Sequence, residues 1–248
     1  MKITVGLFGF GKTGSVVANE IIKDEECELK WVIRKTGVFE EDYASRHLGY
    51  EGEEGRIYSL EHIDLSTFFE ENRVDVIIDF SASCAVEEYG NAAKCGTRIV
   101  SAISHYNGNE MDKIKELSRQ TAVLYSPNIT LGVNFLIEAS KKLKSIAPHA
   151  DIEIIEEHFK EKKGVSGTAL RIAEDLGLDK EKNINSIRVG GVIGKHEVVF
   201  GLPNQTIRII HESISKAAFG QGAIYAAKWI MSRDKGLFSM EQAMSLQD

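Results

Sequence analysis

The sequence predicts an α/β protein in which a doubly wound parallel sheet is followed by a smaller α+β unit with an open mixed sheet. In the first half of the chain, short apolar runs alternate with segments of helical periodicity, which is typical of a parallel sheet covered by helices. This alternation stops at Pro127-Asn128, after which strand-like runs follow one another. With 248 residues, the chain is long enough to form both units.

Composition excludes several classes of protein. The formal net charge of −7 provides no basic excess for nucleic acid. No apolar run reaches the ~18 residues of a membrane span, and the N-terminus lacks a basic segment and a cleavage site. Cys27, Cys84 and Cys95 form no CxxC pair, so we expect a reduced cytoplasmic protein that binds neither nucleic acid nor membrane.

The first apolar run, Lys2 to Phe8, predicts a buried strand, and a glycine motif follows it at once. The motif Gly9 to Gly14 has the spacing GxGxxG and precedes apolar residues at helical spacing. Its three glycines permit, in order, a tight turn, close approach of a pyrophosphate, and contact between helix and strand. A Rossmann-type dinucleotide site is therefore predicted. The residues assigned here to cofactor binding are Gly9, Phe10, Gly11, Lys12, Thr13 and Gly14.

The end of the second predicted strand, Glu28 to Ile33, indicates which dinucleotide binds. An acidic residue there usually binds the ribose 2′-OH of NAD, but this chain has Arg34 and Lys35. Two cations favour a 2′-phosphate, so we assign both residues to cofactor binding, with NADPH as the cofactor and NADH as a weaker one. The alternative is that they are merely exposed basic residues.

The rest of the first unit continues the alternation. Within residues 36–73, the acidic runs Glu40 to Asp42 and Glu51 to Gly55 predict a solvated excursion. The other predicted elements are a short helix near Ser66–Glu70, a strand over Val74–Phe80, a helix ending at Ala93 with Ser83 as its N-cap, a strand over Thr97–Ser101, a helix over Gly108–Arg119 and a strand over Ala122–Ser126.

Ligands of such sheets bind at the carboxyl ends of the strands. The residues assigned to cofactor binding at those ends are Phe80, Ser81, Ser101, Ile103, Ser126 and Asn128. His105 also lies there, but a lone histidine is more often a packing or surface residue.

The second half predicts four strands and two helices, with helices on one sheet face and the other face open to an oligomer contact. The predicted elements are a helix over Leu131–Ile146, a strand over Asp151–Ile155, a helix from Ala169 with Ser166 as its N-cap, strands over Ser186–Val192, His196–Phe200 and Gln205–His211, and a last helix from Lys216. We read Gly194-Lys195 as the turn of a hairpin. The predicted domains are 1–127 for dinucleotide binding, with 217–248 packing back on it, and 128–216 for substrate binding and oligomerisation.

The segment from Glu156 to Thr168 carries the chemistry in this prediction. It places His158, Lys160, Lys162 and Lys163 on a loop before the start of a helix. Ammonium groups and free helix-start N–H groups would bind a dianionic small molecule, and the imidazole could protonate it.

An ordered series of motifs runs along nearly the whole chain. It comprises Gly9 to Gly14, Asp79-Phe80-Ser81, Pro127-Asn128, Gly132-Val133-Asn134, Glu157-His158, Lys162, Ser166 to Leu170, Arg188 with Gly191, Gly194 to Val198, Phe219 with Gly222-Ala223, Ala226 to Trp229 and Gly236-Leu237-Phe238. With these motifs the sequence resembles the 4-hydroxy-tetrahydrodipicolinate reductases, also called dihydrodipicolinate reductases.

The resemblance implies an NAD(P)H-dependent oxidoreductase of lysine and diaminopimelate biosynthesis. It would reduce (2S,4S)-4-hydroxy-2,3,4,5-tetrahydrodipicolinate, a cyclic imine dicarboxylate, to tetrahydrodipicolinate. His158 and Lys162 match the catalytic acid and proton donor, and Ser166-Gly167-Thr168 matches the cradle for a substrate carboxylate, with Lys162 and Phe159 beside it. The resemblance also implies a homotetramer joined through the second-unit sheets. We assign no metal ligands.

Three departures from the family pattern concern substrate recognition. Phe159 replaces the second of two adjacent histidines, and Gly164-Val165 replaces a three-residue Asp-Ala-Pro. Ser101-Ala102-Ile103-Ser104 replaces a Gly-Thr-Thr-Gly, so Ile103 loses a hydroxyl donor. Loss of such a donor opposite a charge costs about 1.5–3 kcal/mol if nothing replaces it.

Two alternatives stay open at this point. A divergent reductase of the same fold could act on another cyclic imine or unsaturated acid. A regulatory protein could bind NADP(H) without turnover, although a pure sensor needs no pair such as His158 and Lys162.

Overall fold

The structure, a computed structural model, describes residues 1–245. Its contacts divide the chain into two compact units, one formed by Met1–Ile129 with the chain from Phe219 onward, the other by Thr130–Ala218. The sequence analysis placed these boundaries at 127/128 and 216/217. Of the predicted stretch 217–248, residues 246–248 lie outside the described residues. Among residues 1–245, no helix has both the length and the apolar character needed to cross a membrane.

The first unit is a seven-stranded sheet in the order β11-β6-β5-β4-β1-β2-β3, and every strand pair in it is parallel. Its strands are β1 (Ile3–Phe8), β2 (Cys27–Arg34), β3 (Arg56–Ser59), β4 (Val76–Asp79), β5 (Arg98–Ser101), β6 (Ala122–Tyr125) and β11 (Gly236–Phe238). Its α-helices are α1 (Gly14–Lys23), α2 (Ala44–His47), α3 (Leu65–Glu71), α4 (Gly90–Lys94), α5 (Gly108–Ser118), α8 (Ala217–Ile230), whose first two residues belong to the second unit, and α9 (Met240–Met244).

This arrangement confirms the predicted Rossmann-type parallel sheet. The central strands β1 and β4 are buried along most of their length, which explains their continuous apolar runs. Two strands were missed. β3 lies within residues 36–73, for which a solvated excursion and a short helix but no strand were predicted, and β11 pairs with β6 from near the end of the chain. Both are short, with four and three residues, so they leave little periodicity to detect.

The predicted N-cap role of Ser83 is wrong. Ser83 is the first residue of a 3₁₀ helix, Ser83–Glu87, and makes no cap. Its hydroxyl donates instead to Glu110 in the first turn of α5, at 2.6 Å. Asn107 and Glu110 form a capping box at that helix start. The local pattern predicted that Ser83 caps the helix that follows it, but its hydroxyl binds Glu110, which is distant in sequence.

The second unit contains a separate four-stranded mixed sheet in the order β10-β9-β7-β8. The predicted α+β unit with an open mixed sheet is therefore confirmed. Its elements are α6 (Leu131–Ile146), β7 (Asp151–His158), α7 (Gly167–Asp175), β8 (Ile184–Arg188), β9 (Lys195–Leu202) and β10 (Gln205–Glu212). Helices α6 and α7 pack their apolar residues against one sheet face, where Ile154, Val198 and Phe200 are fully buried.

Two predictions for this unit are wrong. The hairpin at Gly194-Lys195 does not form, because β8 pairs with β7 in parallel and the antiparallel hairpin joins β9 to β10 around residues 203–204. His158 is the last residue of β7 and not part of a loop. Residues 152, 154, 156 and 158 alternate onto the buried face of the strand, so the strand continues through three polar residues, 156–158, that the apolar pattern excluded.

We predict that Gly14→Ala destabilises the first unit whereas Gly11→Ala does not. A Cβ at position 14 would lie 2.1 Å from the carbonyl oxygen of Gly9, but a Cβ at position 11 meets nothing within 4 Å. Overpacking of this kind costs about 1–3 kcal/mol. Trp31 and Trp229 both lie in the first unit, so tryptophan fluorescence during urea unfolding measures that unit alone. Equal midpoints for the two variants would contradict the prediction.

Candidate active site

The glycine motif forms a tight turn at the carboxyl end of β1. Gly9 has a φ of +95°, and a Cβ there would lie 2.8 Å from the carbonyl oxygen of Phe80. Gly11 is exposed and faces open space, and α1 begins at Gly14. The turn therefore presents a backbone surface and a helix N-terminus to an anion, without a side chain to block the approach.

A cavity of about 500 Å³ lies in the first unit, at the carboxyl ends of its strands. It brings together Thr13, Phe80, Ser81 and Ile103, four of the predicted cofactor residues. The remaining lining residues are Ala82, Ser83, Ala102, Ser104, His105, Pro127, Ile129 and Phe219. The cavity offers both hydroxyl groups and apolar walls, which suits a nicotinamide ring and its ribose.

A second cavity of about 290 Å³ in the same unit adjoins the strand end of β2. It contains Gly9, Arg34, Lys35 and Ser81 among its lining residues, with the carboxylates of Glu61 and Glu88. Ser81 and Ala82 line both cavities, so the two form neighbouring compartments.

Arg34 is held in place beside this second cavity. Its Nη1 donates to the carbonyl oxygen of Val38 at 3.1 Å, and its guanidinium lies 5.1 Å from the centroid of the Phe39 ring. Phe39 has a φ of 65°, an uncommon conformation for a bulky residue, and its ring also packs 4.1 Å from that of His47. Lys35 and Lys12 are exposed.

A buried hydrogen-bond chain supports the wall of the first cavity. The Asp79 carboxylate accepts from the amide and hydroxyl of Ser81, at 2.9 and 2.6 Å, and from the Tyr89 hydroxyl at 3.0 Å. The Tyr89 and Tyr106 hydroxyls are 3.4 Å apart, and Tyr106 is 2.7 Å from the Ser101 hydroxyl. Burial raises the pKa of Asp79 to about 6, although the bonds from Ser81 and Tyr89 oppose the rise.

The other predicted cofactor residues have structural partners. The Ser101 side chain is fully buried against Tyr106, and the buried Ser126 donates to the carbonyl oxygen of Asn128 at 2.8 Å. Phe10 is largely buried, with its ring 6.5 Å from His47. Tyr89 and Tyr106 were missed, because nothing local in the sequence shows that two distant tyrosines share one buried chain.

In the second unit, a fully buried carboxylate organises the predicted chemical residues. Glu156 Oε1 accepts from Ser186 and from Arg188 Nη2, each at 2.6 Å, and from the Ser166 amide at 3.3 Å. Its Oε2 accepts from Arg188 Nη1 at 3.0 Å and hydrogen-bonds to Nδ1 of His158. Burial opposes ionisation, but the bonds from Arg188, Ser186 and His158 lower the pKa of Glu156 to about 2.

Arg188 extends this arrangement to the loop after β7. Its Nε donates to the carbonyl oxygen of Lys162 at 3.1 Å, and its Nη2 donates to that of Gly164 at 2.5 Å. The amide of Lys160 also donates to the Gly190 carbonyl at 3.1 Å. The loop is therefore tied to the β8 side of the sheet, while Phe159 remains exposed.

His158 is 8% exposed. Burial lowers the pKa of its imidazole, the Glu156 carboxylate opposes this, and the charges of Lys162 and Arg188 add to the lowering. Nε2 is the atom nearest to a Cβ built on Gly194, at 3.1 Å. A side chain at position 194 would therefore cover the nitrogen that does not face Glu156.

Ser166 caps α7 as predicted, since its hydroxyl accepts from the Ala169 amide at 3.0 Å. The same hydroxyl lies 2.9 Å from Nε2 of the buried His196. Burial, then the neighbouring His158, lower the pKa of His196 to about 3, so this ring is neutral. Gly167, which is exposed, and Thr168, which is half-buried, are the first two residues of α7 and complete the carboxylate cradle that the sequence predicted.

Sequence analysis did not assign Glu156, Arg188 or His196 to the site. A usable signal exists in the alternation along β7, which puts Glu156 and His158 on the same buried face. The contributions of β8 and β9 depend on strand order, which the sequence does not show.

We predict that Asp79→Asn removes a pH dependence from the stability of the first unit. Between the ordinary pKa of 3.8 and about 6, the folded protein keeps a proton that the unfolded chain releases, so stability falls as pH rises through this range. The two pH units correspond to about 3 kcal/mol. Urea unfolding followed by tryptophan fluorescence from pH 4 to 7 measures the effect.

The control is Asp112→Asn, which neutralises a carboxylate that is 74% exposed on α5. It should keep the wild-type slope of stability against pH. A flat slope in the wild-type protein would disprove the role given to Asp79.

Comparisons with known proteins address the whole chain. The family model described as dihydrodipicolinate reductase, N-terminus, matches residues 3–129, and the one described as dihydrodipicolinate reductase, C-terminus, matches residues 132–244. The 4-hydroxy-tetrahydrodipicolinate reductase of Caldanaerobacter subterraneus subsp. tengcongensis is 32% identical over 253 residues, covering 93% of each chain. That of Wigglesworthia glossinidia brevipalpis is 33% identical over 184 residues, covering 71% of this chain and 69% of its own.

Among solved structures, the dipicolinate-bound dihydrodipicolinate reductase from Paenisporosarcina sp. TG-14 matches with a TM-score of 0.80 at 20% identity, covering 98% of this chain and 99% of that one. An amine dehydrogenase from Mycobacterium smegmatis matches at 0.66 with 10% identity, covering 100% and 98%. At these identities the structures support the fold alone. The two family models and the curated relatives establish that the chain belongs to the dihydrodipicolinate reductase family.

Proposed function

We propose that this protein is an NADPH-dependent 4-hydroxy-tetrahydrodipicolinate reductase of lysine and diaminopimelate biosynthesis. Family membership is the observation that carries the proposal. It is supported by a nucleotide-binding glycine turn in the first unit and, in the second, by an imidazole, an ammonium and a helix start next to one another in sequence.

The first unit fits a nicotinamide dinucleotide. The open space at Gly11 admits a pyrophosphate, and the start of α1 supplies positive potential to it. We assign the 500 Å³ cavity to the nicotinamide riboside and the 290 Å³ cavity to the adenosine. The cofactor supplies a hydride when it is bound.

The second unit fits the dicarboxylate. Ser166, Gly167 and Thr168 present the N-terminus of α7, which can bind a carboxylate through neutral donors, and Lys162 adds a cation. When water leaves the hydroxylated ring, a carbon–carbon double bond conjugated to the imine remains. Reduction at C4 then requires one proton. His158 and Lys162 are the residues that we assign to hold and deliver it.

NADPH is the preferred cofactor in this proposal. Arg34 and Lys35 both line the adenosine cavity, and Arg34 is held there by Val38 and Phe39. A guanidinium in a fixed orientation suits a phosphate better than a hydroxyl. NADH is the weaker alternative, because the carboxylates of Glu61 and Glu88 in the same cavity can accept a hydrogen bond from a ribose 2′-OH.

The cytoplasmic location and the homotetramer also belong to the proposal. In the second unit, α6 and α7 cover one sheet face, and the opposite face exposes Ile187 and Ile210 by 44% and 54%. This uncovered face supports an oligomer contact of the kind that the family resemblance implies.

A divergent reductase remains the second candidate because of Phe159. Its ring is 41% exposed where the family pattern has a second histidine, so a substrate with one fewer anionic group could bind against it. Assays with enzymatically made hydroxytetrahydrodipicolinate distinguish the two candidates. Absence of NADPH oxidation with this substrate would remove the first.

We predict that His158→Ala and Lys162→Ala each lower kcat by at least about 10²-fold, the usual contribution of general acid catalysis, and change the KM for NADPH little. Steady-state assays of NADPH oxidation test this. His149→Ala and Lys182→Ala, which alter exposed residues of the same types, are the matched controls. An unchanged kcat in both loop variants would place the chemistry elsewhere.

We predict that Arg34→Asp shifts the cofactor preference toward NADH. The substitution removes a cation for the 2′-phosphate and supplies an acceptor for a 2′-OH, so the ratio of kcat/KM for NADPH to that for NADH should fall by 10-fold or more, about 1.4 kcal/mol. Lys30→Asp, an exposed position on the same strand, controls for charge alone. An unaltered ratio would mean that the 2′-phosphate binds elsewhere.

A further inference from the structure

We infer that Glu156 and Arg188 are positioning residues that keep a proton on Nδ1 of His158, so that Nε2 is the atom exchanging protons with substrate. Together they also hold the backbone of the loop that carries Lys162. The catalytic part of this inference rests on the proposed function, whereas its structural part does not.

The Glu156 carboxylate has 0% exposure and five hydrogen bonds. Arg188 binds both oxygens in a fork, Ser186 and the Ser166 amide bind Oε1, and Nδ1 of His158 faces Oε2. Arg188 and Ser186 lie on β8, and His158 is two residues along the same strand as Glu156. The carboxylate therefore has no freedom to turn away from the imidazole.

The Glu156 carboxylate sets the tautomer of His158. An ionised carboxylate can only accept hydrogen bonds, and the low pKa of Glu156 keeps it ionised at neutral pH. The nitrogen that faces it must then carry a hydrogen. In the neutral imidazole this leaves Nε2 unprotonated and able to take or return a proton. Gly194 keeps that nitrogen uncovered.

Three further titratable side chains face His158. Arg188 on β8 and Lys162 in the following loop are cations, and His196 on β9, whose ring centroid is 5.3 Å away, is neutral. Burial and the two cations favour the neutral ring, and Glu156 favours the charged ring. Glu156 therefore decides how readily His158 holds an additional proton.

Arg188 also holds the backbone of the loop that carries Lys162. Arg188 donates to the carbonyl oxygens of Lys162 and Gly164, at 3.1 and 2.5 Å, while its fork holds Glu156. One side chain thus links the orientation of His158 to the backbone position of Lys162. A lysine at position 188 keeps the charge but has no fork with which to make these bonds at once.

The test begins with the wild-type protein labelled with ¹⁵N-histidine. Long-range ¹H–¹⁵N spectra distinguish the two imidazole tautomers and follow the protonation of His158 against pH, with His158→Ala identifying its signal. We expect hydrogen on Nδ1 in the neutral ring. A neutral ring protonated on Nε2 would overturn the inference, and this measurement needs neither turnover nor a positioning variant.

The variants are Glu156→Gln and its matched control Glu157→Gln. Glu157 is the next residue on β7, points to the opposite sheet face and pairs with Lys195 at 2.7 Å. We expect Glu156→Gln to weaken the Nδ1–H preference and to lower the titration midpoint of His158 by about 1–3 pH units. Glu157→Gln should leave both at their wild-type values. The same tautomer and midpoint in all three proteins would overturn the inference.

Kinetics supply the catalytic readout. We expect kcat to fall roughly 10²-fold in Glu156→Gln, as for a misplaced catalytic group, with little change in the KM for NADPH. The limb of the pH profile that belongs to His158 should move to lower pH. Arg188→Lys should lower kcat while preserving the His158 tautomer. An unchanged kcat and pH profile in Glu156→Gln would overturn the catalytic part.

The design separates this inference from the proposed function. If the wild-type protein fails to oxidise NADPH with hydroxytetrahydrodipicolinate, the proposed function fails, and the spectra still decide whether Glu156 controls the tautomer. If the wild-type protein turns over and Glu156→Gln equals it, only the positioning role fails.

Discussion

The second unit is built around a carboxylate that has no contact with solvent. Burying a charge costs several kcal/mol unless a partner and further hydrogen bonds compensate it, and Glu156 has the Arg188 fork, Ser186, His158 and the Ser166 amide. These partners come from β7, β8 and the residue before α7. The requirements of one side chain therefore explain why β8 pairs beside β7, why α7 starts where it does and why the intervening loop is tied down.

The two-residue period of a strand explains how the same segment carries both structure and chemistry. Residues 152 and 154 contribute to the apolar core, and residues 156 and 158 continue the same face as a polar pair. His158 was assigned a catalytic role from its chemistry, which stays a prediction, and was placed on a loop because the predicted strand ended where the apolar residues ended. A buried polar pair looks like solvent-exposed sequence until its partners are known, and here the partners lie about 30 residues further on.

The first unit was more predictable, for a physical reason. Its central strands β1 and β4 are buried along most of their length, so their sequences are largely apolar, and the glycine motif marks a conformation that other residues rarely adopt. The support behind the cavity was not predictable. Asp79 and Tyr106 are linked through the Tyr89 hydroxyl, on two strand ends that are brought together because β4 and β5 are neighbours. The loss of a hydroxyl at Ile103 is accompanied by a hydrogen bond between Tyr106 and Ser101. Local sequence patterns predict backbone geometry well, but they do not identify polar partners that are distant in the sequence.

The departures from the family pattern spare the contacts on which the second unit depends. The shortened segment at Gly164-Val165 keeps its carbonyl bond to Arg188, with Gly164 at a φ of +67°, and Ser166 still caps α7. Phe159 is exposed and has no part in the Glu156 contacts. In the proposed site these substitutions alter what a ligand would meet at the rim, whereas the contacts of Glu156 with His158 and of Arg188 with Glu156 and the Lys162 carbonyl involve none of the substituted residues. Selection on substrate recognition could therefore change the rim without disturbing proton transfer, and a change at Glu156 or Arg188 would affect both at once.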